Sequence, residues 1–360
     1  MELATRIYLD HAATTPILPS AIAAVEGGMR HWANPSSPHG EGRAARAALE
    51  QARAAIAAAY DWPGETLLTG GASESLAIAL GRSVLPRRLI GATEHDAVIR
   101  AAPGAEVIPV QDSGLIDLDR LDALLRDQPP ALVAMQWTNS ETGVRQPIAE
   151  VAAIVHCAAG LLLVDAAQMP PGADPSLAGH ADFIALSSHK RGGPPGVGAL
   201  LVRDLATLEP SGGQERGYRA GTENLPGVLG FAAALGDEPD ITRWATLRAR
   251  LDDAILRSGG ALVGADAPRH PAIGSYRMPG VAATVQLIRL DLAGIAVSAG
   301  SACSSGSMKP SHVLAAMGWT EPTLREVVRV SFGATTTDAE IDAFIAAWRA
   351  IAREARTRAA

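Results

Sequence analysis

Seven short apolar runs punctuate the first two-thirds of this 360-residue chain: TLLTG (66–70), RLIGAT (88–93), EVIPV (106–110), ALVAMQW (131–137), LLLVDAA (161–167), DFIALSS (182–188) and GALLVR (198–203). Several are apolar along their whole length, as a strand is when both faces of its sheet are covered. Amphipathic stretches such as IDLDRLDALLRD and IAEVAAIVHCAA lie between them. Strands alternating with helices in this way predict an α/β fold with a largely parallel sheet. From about residue 250 the pattern changes to a helix, RWATLRARLDDAILRSG, then further strands and a Gly/Ser loop. A last helix should begin at Thr337, which with Glu340 three residues on has the form of a capping box. Ile341, Phe344, Ile345, Trp348 and Ile351 then make one apolar stripe, read as core packing.

Composition narrows the function classes. A net charge of -7 and a pI near 5.7 argue against a chain built to grip nucleic acid directly. No apolar run approaches the roughly 18 residues of a membrane span, and MELATRIYLD is too polar for a signal peptide. Two cysteines, one of them (Cys157) inside a predicted helix, give no disulfide framework, so a cytoplasmic, reducing home is expected. Of 31 basic residues only Lys190 and Lys309 are lysines. Codon bias accounts for most of that skew, but an amine can lose its proton and attack a carbonyl where a guanidinium cannot.

Several strand ends carry chemistry-bearing residues. ADFIALSSHK sets Lys190 just past a buried strand, where ligands of open α/β sheets collect; desolvation there would lower its pKa. The alternative is a surface lysine in a loop. LLLVDAAQ ends in Asp165, with Gln168 beyond; the carboxylate suits a protonated pyridine nitrogen, or a helix N-cap. TGGASES (69–75) offers backbone N–H groups to a phosphate, although many glycine-rich turns do nothing of the kind. ATEHDAV places His95 as a stacking or proton-carrying group, or as a core histidine. Arg329 in VVRVSFG suits a carboxylate ligand, or an ordinary ion pair. In SAGSACSSGS, Cys303 is surrounded by Gly, Ala and Ser, with none of the apolar neighbours of a structural cysteine. Together these supply what pyridoxal phosphate chemistry on a small amino acid requires.

The segments YLDHAATTP (8–16), NPSSPHGEGR (34–43), GGASES, TEHDAV, VDAAQ, SSHK, GGQERGYRAGT (212–222) and GSACSSG (300–306) closely resemble, in order, the cysteine desulfurases of the NifS/IscS type. The resemblance implies a fold-type I pyridoxal 5'-phosphate enzyme and a homodimer. It implies a large domain over 15–250 with a mainly parallel seven-stranded sheet flanked by helices. A smaller α+β domain would comprise 1–14 and 251–360 and carry the cysteine loop, about 298–310. Lys190 would hold the cofactor covalently, with Asp165 on the pyridine nitrogen, Gln168 and Ser140 near the ring hydroxyl and His95 stacked on the ring. Ala72, Ser73, Ser187 and His189 would bind the phosphate, joined by Thr222 from a second subunit. Arg329 would take the substrate carboxylate, helped by Asn34. L-cysteine would become L-alanine, leaving a persulfide on Cys303 for an acceptor protein, an iron–sulfur scaffold or a thiolation factor.

Departures from the family pattern are Ser140 where a second Asn is usual, Pro195 where a Lys is common, and Ala334 where an Arg often follows the glycine. After REARTRAA there is no extension of the kind housekeeping members use to dock a scaffold. Two other functions fit the same residues: a related class V enzyme, such as a selenocysteine lyase or an aminotransferase, and a degenerate paralogue that binds a partner without turnover. Cys303 in its Ser/Gly loop favours desulfuration.

Overall fold

The computed structural model describes residues 6–237, 239–300 and 310–359. Its strands, in chain order, are β1 (Ile7–Tyr8), β2 (Glu65–Thr69), β3 (Arg87–Gly91), β4 (Glu106–Ile108), β5 (Ala131–Gln136), β6 (Leu161–Asp165), β7 (Phe183–Ser187), β8 (Gly198–Val202), β9 (Ala261–Leu262), β10 (Ile273–Arg277), β11 (Ile295–Ala296) and β12 (Val327–Ser331). The seven predicted runs become β2 to β8. Each ends one or two residues before its apolar run does.

These seven strands form one sheet in the order β2-β8-β7-β6-β5-β3-β4. Strands β4, β3, β5, β6 and β7 run parallel, while β8 is antiparallel to both its neighbours β7 and β2. Two reversals bring β2 back into line with β7, so six of the seven carboxyl ends open at the same edge. Both faces are covered. Val133, Val164 and Ile184 face one apolar core, and their sequence neighbours Leu132, Leu163 and Phe183 face another. This is the period-two alternation of a strand with apolar residues at every position.

Predicted helices form over Leu118–Leu125, where the Asp117 side chain accepts from the Arg120 N–H, and over Ile148–Cys157. Cys157 is exposed and unpaired at that helix end.

A third core belongs to the C-terminal part. There β12, β10 and β9 form an antiparallel sheet, packed against the helices Ile241–Arg257 and Asp338–Ala359. Thr337 Oγ1 accepts from the Glu340 N–H at 3.3 Å, and Glu340 Oε2 accepts from the Thr337 N–H at 2.7 Å, completing the capping box. All five residues of the predicted stripe are buried in this core. So are Trp244, Leu247 and Leu251 from Ile241–Arg257, and Leu9 from the N-terminus. β1 pairs in parallel with β11, so the N-terminal segment starts on the C-terminal part and then crosses to the large sheet.

Candidate active site

The crossing segment passes over the carboxyl ends of the large sheet. Thr15 N–H donates to the His189 carbonyl at 2.9 Å, and Thr14 Oγ1 lies 3.0 Å from His189 Nδ1. Beneath it the chain leaves β7 through a tight turn, Ser188–Lys190, which carries the lysine inward. Lys190 Nζ donates to the carbonyls of Ala12 (2.5 Å) and Ala13 (2.8 Å). Burial, reinforced by the Arg329 charge, lowers this amine from its ordinary 10.5 to about 8.

Asp165 ends β6, the parallel neighbour of β7, and is buried. Its Oδ1 accepts from the Ala167 N–H at 3.0 Å, so it serves the turn that follows as well as facing the cavity. Burial raises its pKa, opposed by that N–H and by His95 and Lys190. Gln168, also buried, donates through Nε2 to the Ala12 carbonyl at 2.9 Å. His95 caps the helix Asp96–Ala101, with Nδ1 accepting from the Ala97 N–H at 3.1 Å. With Nδ1 accepting, the tautomer this hydrogen bond selects carries its proton on Nε2. His189 is lowered to about 4 by burial and by Lys190 and Arg191, and is neutral at physiological pH.

After β2 the chain turns through Gly70 and Gly71 into the helix Ala72–Arg82. Gly71 is the N-cap, has φ +144° and offers no side-chain cap. The Glu74 N–H turns back to the Gly71 carbonyl at 3.1 Å, while the Ala72 and Ser73 N–H groups have no partner among the described residues, which makes this end a natural anion cradle. Gly198 lets it form: a Cβ there would lie 2.4 Å from the Leu186 carbonyl oxygen and 2.6 Å from Gly71 Cα.

One cavity of about 430 Å³ gathers Ala72, Ser73, His95, Ser140, Asp165, Gln168, Ser187, His189 and Lys190. A second, of about 190 Å³, shares Ala13, His95, Gln136, Ser140 and Lys190 with it and adds Arg329 and Gly300. Arg329 on β12 is buried, with Nη1 donating to the Ser140 carbonyl at 3.0 Å and Nη2 to Asp10 Oδ1 at 2.7 Å. Its Nε has no partner among the described residues. The ion-pair reading of this arginine is thus realised, and a donor is still left over. Asn34 and Thr222 are not brought here. Both are exposed, neither lines either cavity, and Asn34 Oδ1 accepts from the Ser36 N–H at 2.9 Å. Cys303 and Lys309 lie outside the described residues.

Five contributions went unread in the sequence. Asp10 holds Arg329, and the Ala12 and Ala13 carbonyls hold Lys190; the signal for all three was YLDHAATTP, a polar segment following a two-residue strand. Asn139 Oδ1 accepts from the backbone N–H groups of Glu141 (3.0 Å) and Thr142 (2.8 Å), fixing the turn that presents the Ser140 carbonyl. Glu94 is fully buried, its Oε1 taking the Gln136 N–H at 2.9 Å and its Oε2 without a partner among the described residues. Desolvation raises its pKa well above the usual 4.5 and favours its protonated form.

Residues 7–344 match the family model for aminotransferase class-V. The chain belongs to that family. It is 37% identical to a cysteine desulfurase of Rhodobacter capsulatus, covering 97% of each chain. It is 38% identical to an IscS-like cysteine desulfurase of Mycobacterium tuberculosis, covering 93% of each. The X-ray structure of a NifS-like protein from Rickettsia africae superimposes with a TM-score of 0.86 at 30% identity, over 96% of this chain and 99% of that one.

Pyridoxal 5'-phosphate, the cofactor of class V enzymes, fits this donor set. An amine with a lowered pKa, a buried carboxylate one strand away and a glycine-capped helix N-terminus with serine hydroxyls all face one cavity. Among the described residues no His, Cys, Asp and Glu group is arranged to hold a metal ion, and no helix is long and apolar enough to cross a membrane.

Proposed function

We propose that this chain is a pyridoxal phosphate-dependent cysteine desulfurase that moves the sulfur of L-cysteine onto Cys303 and releases L-alanine. The observation that carries the reading is the position of Gly300, which lines the cavity containing both Lys190 and Arg329. Cys303 is three residues further along, a tether of at most about 11 Å.

Lys190 would anchor the cofactor, Asp165 would keep its ring nitrogen protonated, and Gln168 and Ser140 would face its ring hydroxyl. Ala72, Ser73, Ser187 and His189 would hold its phosphate. Bound there, the cofactor supplies an electron sink for bond breaking at the substrate Cα and Cβ. Arg329 would orient the substrate carboxylate. The Lys190 amine, held near neutrality, can take the Cα proton and return it, and His95 holds a proton on Nε2 for the leaving or arriving groups. The Cys303 thiolate attacks the substrate sulfur: an S–S bond forms, the Cβ–S bond breaks, and a proton completes the methyl group of alanine.

The exposed Thr222, away from both cavities of its own chain, supports a homodimer in which it reaches a second subunit's phosphate site. The separate cores support two domains, 15–250 and 1–14 with 251–360, although the helix Ile241–Arg257 packs with the second core and favours a boundary just before it. Cytoplasmic sulfur transfer to an iron–sulfur scaffold or thiolation factor completes the reading. The test is an L-cysteine assay for alanine on wild type and Cys303→Ser, with bound persulfide read by mass spectrometry. Equal desulfuration by both proteins would refute the role of Cys303.

A further inference from the structure

A third cavity, of about 100 Å³, lies beside the cofactor cavity and shares Gln168 and Lys190 with its lining. Its wall carries the side chain of Arg191, together with His11 and His270. Among the described residues no carboxylate pairs with Arg191: Nη2 reaches the Gln168 carbonyl at 3.4 Å and Nε meets no acceptor. A guanidinium enclosed by protein and left in this way is costly unless something anionic completes it. The lining carboxylate Asp237 is already engaged, its Oδ2 accepting from Ser20 Oγ at 2.6 Å.

We propose that Arg191, with His11 and His270, forms a binding site for a small carboxylate or oxyanion. Both histidines are buried. Burial first, with the nearby Arg191 contributing, lowers His270 well below its usual value; burial also brings His11 to about 4. They are therefore neutral rings with one donor N–H each, and the His11 ring also engages the Tyr8 backbone and lies 3.4 Å from Thr15 Oγ1 through Nδ1. His270 Nδ1 accepts from the Ala272 N–H at 3.0 Å, which leaves its proton on Nε2. A fixed positive fork beside neutral donors, in a low-dielectric cavity, selects anionic oxygens. Size limits the ligand: a cavity of roughly 150 Å³ accommodates benzene, so this one admits about four or five heavy atoms. Acetate, sulfite and sulfate have that size. Because Arg191 is one of the charges that depress the Lys190 amine, a bound anion would raise it.

The site does not depend on the reaction proposed above, and its test is read from Arg191 alone. Titration calorimetry on the cofactor-loaded protein, whose phosphate cradle is filled, uses acetate and sulfate as probes. Three proteins are compared: wild type, Arg191→Met, and Glu238→Gln, since Glu238 stands in sequence between the lining residues Asp237 and Pro239. Wild type and Glu238→Gln should bind one or both probes saturably, and Arg191→Met at least about tenfold more weakly, the loss of one charge-assisted contact. Arg191→Met removes a half-buried charge that has no carboxylate partner among the described residues and should unfold no earlier than wild type. Equal affinity in Arg191→Met would place the ion elsewhere. No saturable binding to wild type, or binding that appears only in Glu238→Gln, would equally overturn the site.

Discussion

Asp10 and Arg329, 319 positions apart in the chain, form a buried ion pair in which Arg329 Nη2 donates to Asp10 Oδ1 at 2.7 Å. Asp10 Oδ2 accepts from Ser298 Oγ at 2.8 Å, and Ser298 exchanges backbone hydrogen bonds with Arg329. The proposed carboxylate anchor is thus tied to the first residue of SAGSACSSGS, and a substrate carboxylate must share the guanidinium with Asp10. Asp10→Asn keeps an acceptor in place and removes the repelling charge. KM for L-cysteine should fall by about fivefold with kcat little changed, a gain of about 1 kcal/mol from relieved like-charge repulsion. A raised KM in steady-state assays would mean that Asp10 positions Arg329 and does not compete with substrate.

Capture of the cofactor aldehyde needs a neutral amine, and Lys190 titrates near 8. The rate at which cofactor-free protein takes up pyridoxal phosphate should therefore rise through pH 7 and level off above about pH 8. With an ordinary lysine the rate would keep rising toward pH 10.5. Stopped-flow absorbance across this range measures the midpoint, and one above 10 would contradict the buried setting.

Glu94 is a buried acid whose folded pKa lies above its unfolded value of 4.5. The folded state keeps a proton that the unfolded state loses, so Glu94 lowers stability as pH rises above 4.5. Glu94→Gln has no proton to lose. Its stability advantage over wild type should grow by about 1.4 kcal/mol per pH unit above 4.5 until the folded acid ionises. Urea denaturation at several pH values reads this directly, and an advantage constant with pH would sink the assignment.

Gly198→Ala puts a methyl group against backbone on two sides, the Leu186 carbonyl and Gly71 Cα. Overpacking of this kind costs about 1–3 kcal/mol. The strain falls on the turn proposed to hold the phosphate, so cofactor retained after dialysis should drop as well. Gly81→Ala, in the helix Ala72–Arg82 that this turn leads into and with nothing within 4 Å of its added Cβ, should leave both readouts at or above wild type. Equal cofactor retention in the two variants would detach the turn from phosphate binding.

The parts of the site legible in the sequence are those set by position along a strand. Asp165 and Lys190 could be read because a covered strand is a continuous apolar run, and its first polar residues mark the sheet edge where ligands gather; Ser187 came only from the family resemblance. Ala72 and Ser73 could be read because glycines before a helix announce bare N–H groups. Arg329 could be read as a charge on an apolar strand, but its partner could not. Asp10 reaches it only because β1 pairs with β11 and the next residues cross to the large sheet. Strands of two residues leave no periodicity to detect.

The sequence by itself determined the seven sheet strands, the capped final helix and the residue types at the strand ends, since local hydrophobic period and turn chemistry encode these directly. Tertiary structure alone decided what those residues became. It lowered the Lys190 amine by surrounding it with protein and with Arg329, gave Arg329 to Asp10, pushed Glu94 toward its protonated form by removing it from water, and left Arg191 without a carboxylate among the described residues. Each of these depends on which distant groups share a region shielded from solvent, and proximity of that kind is a property of the folded chain.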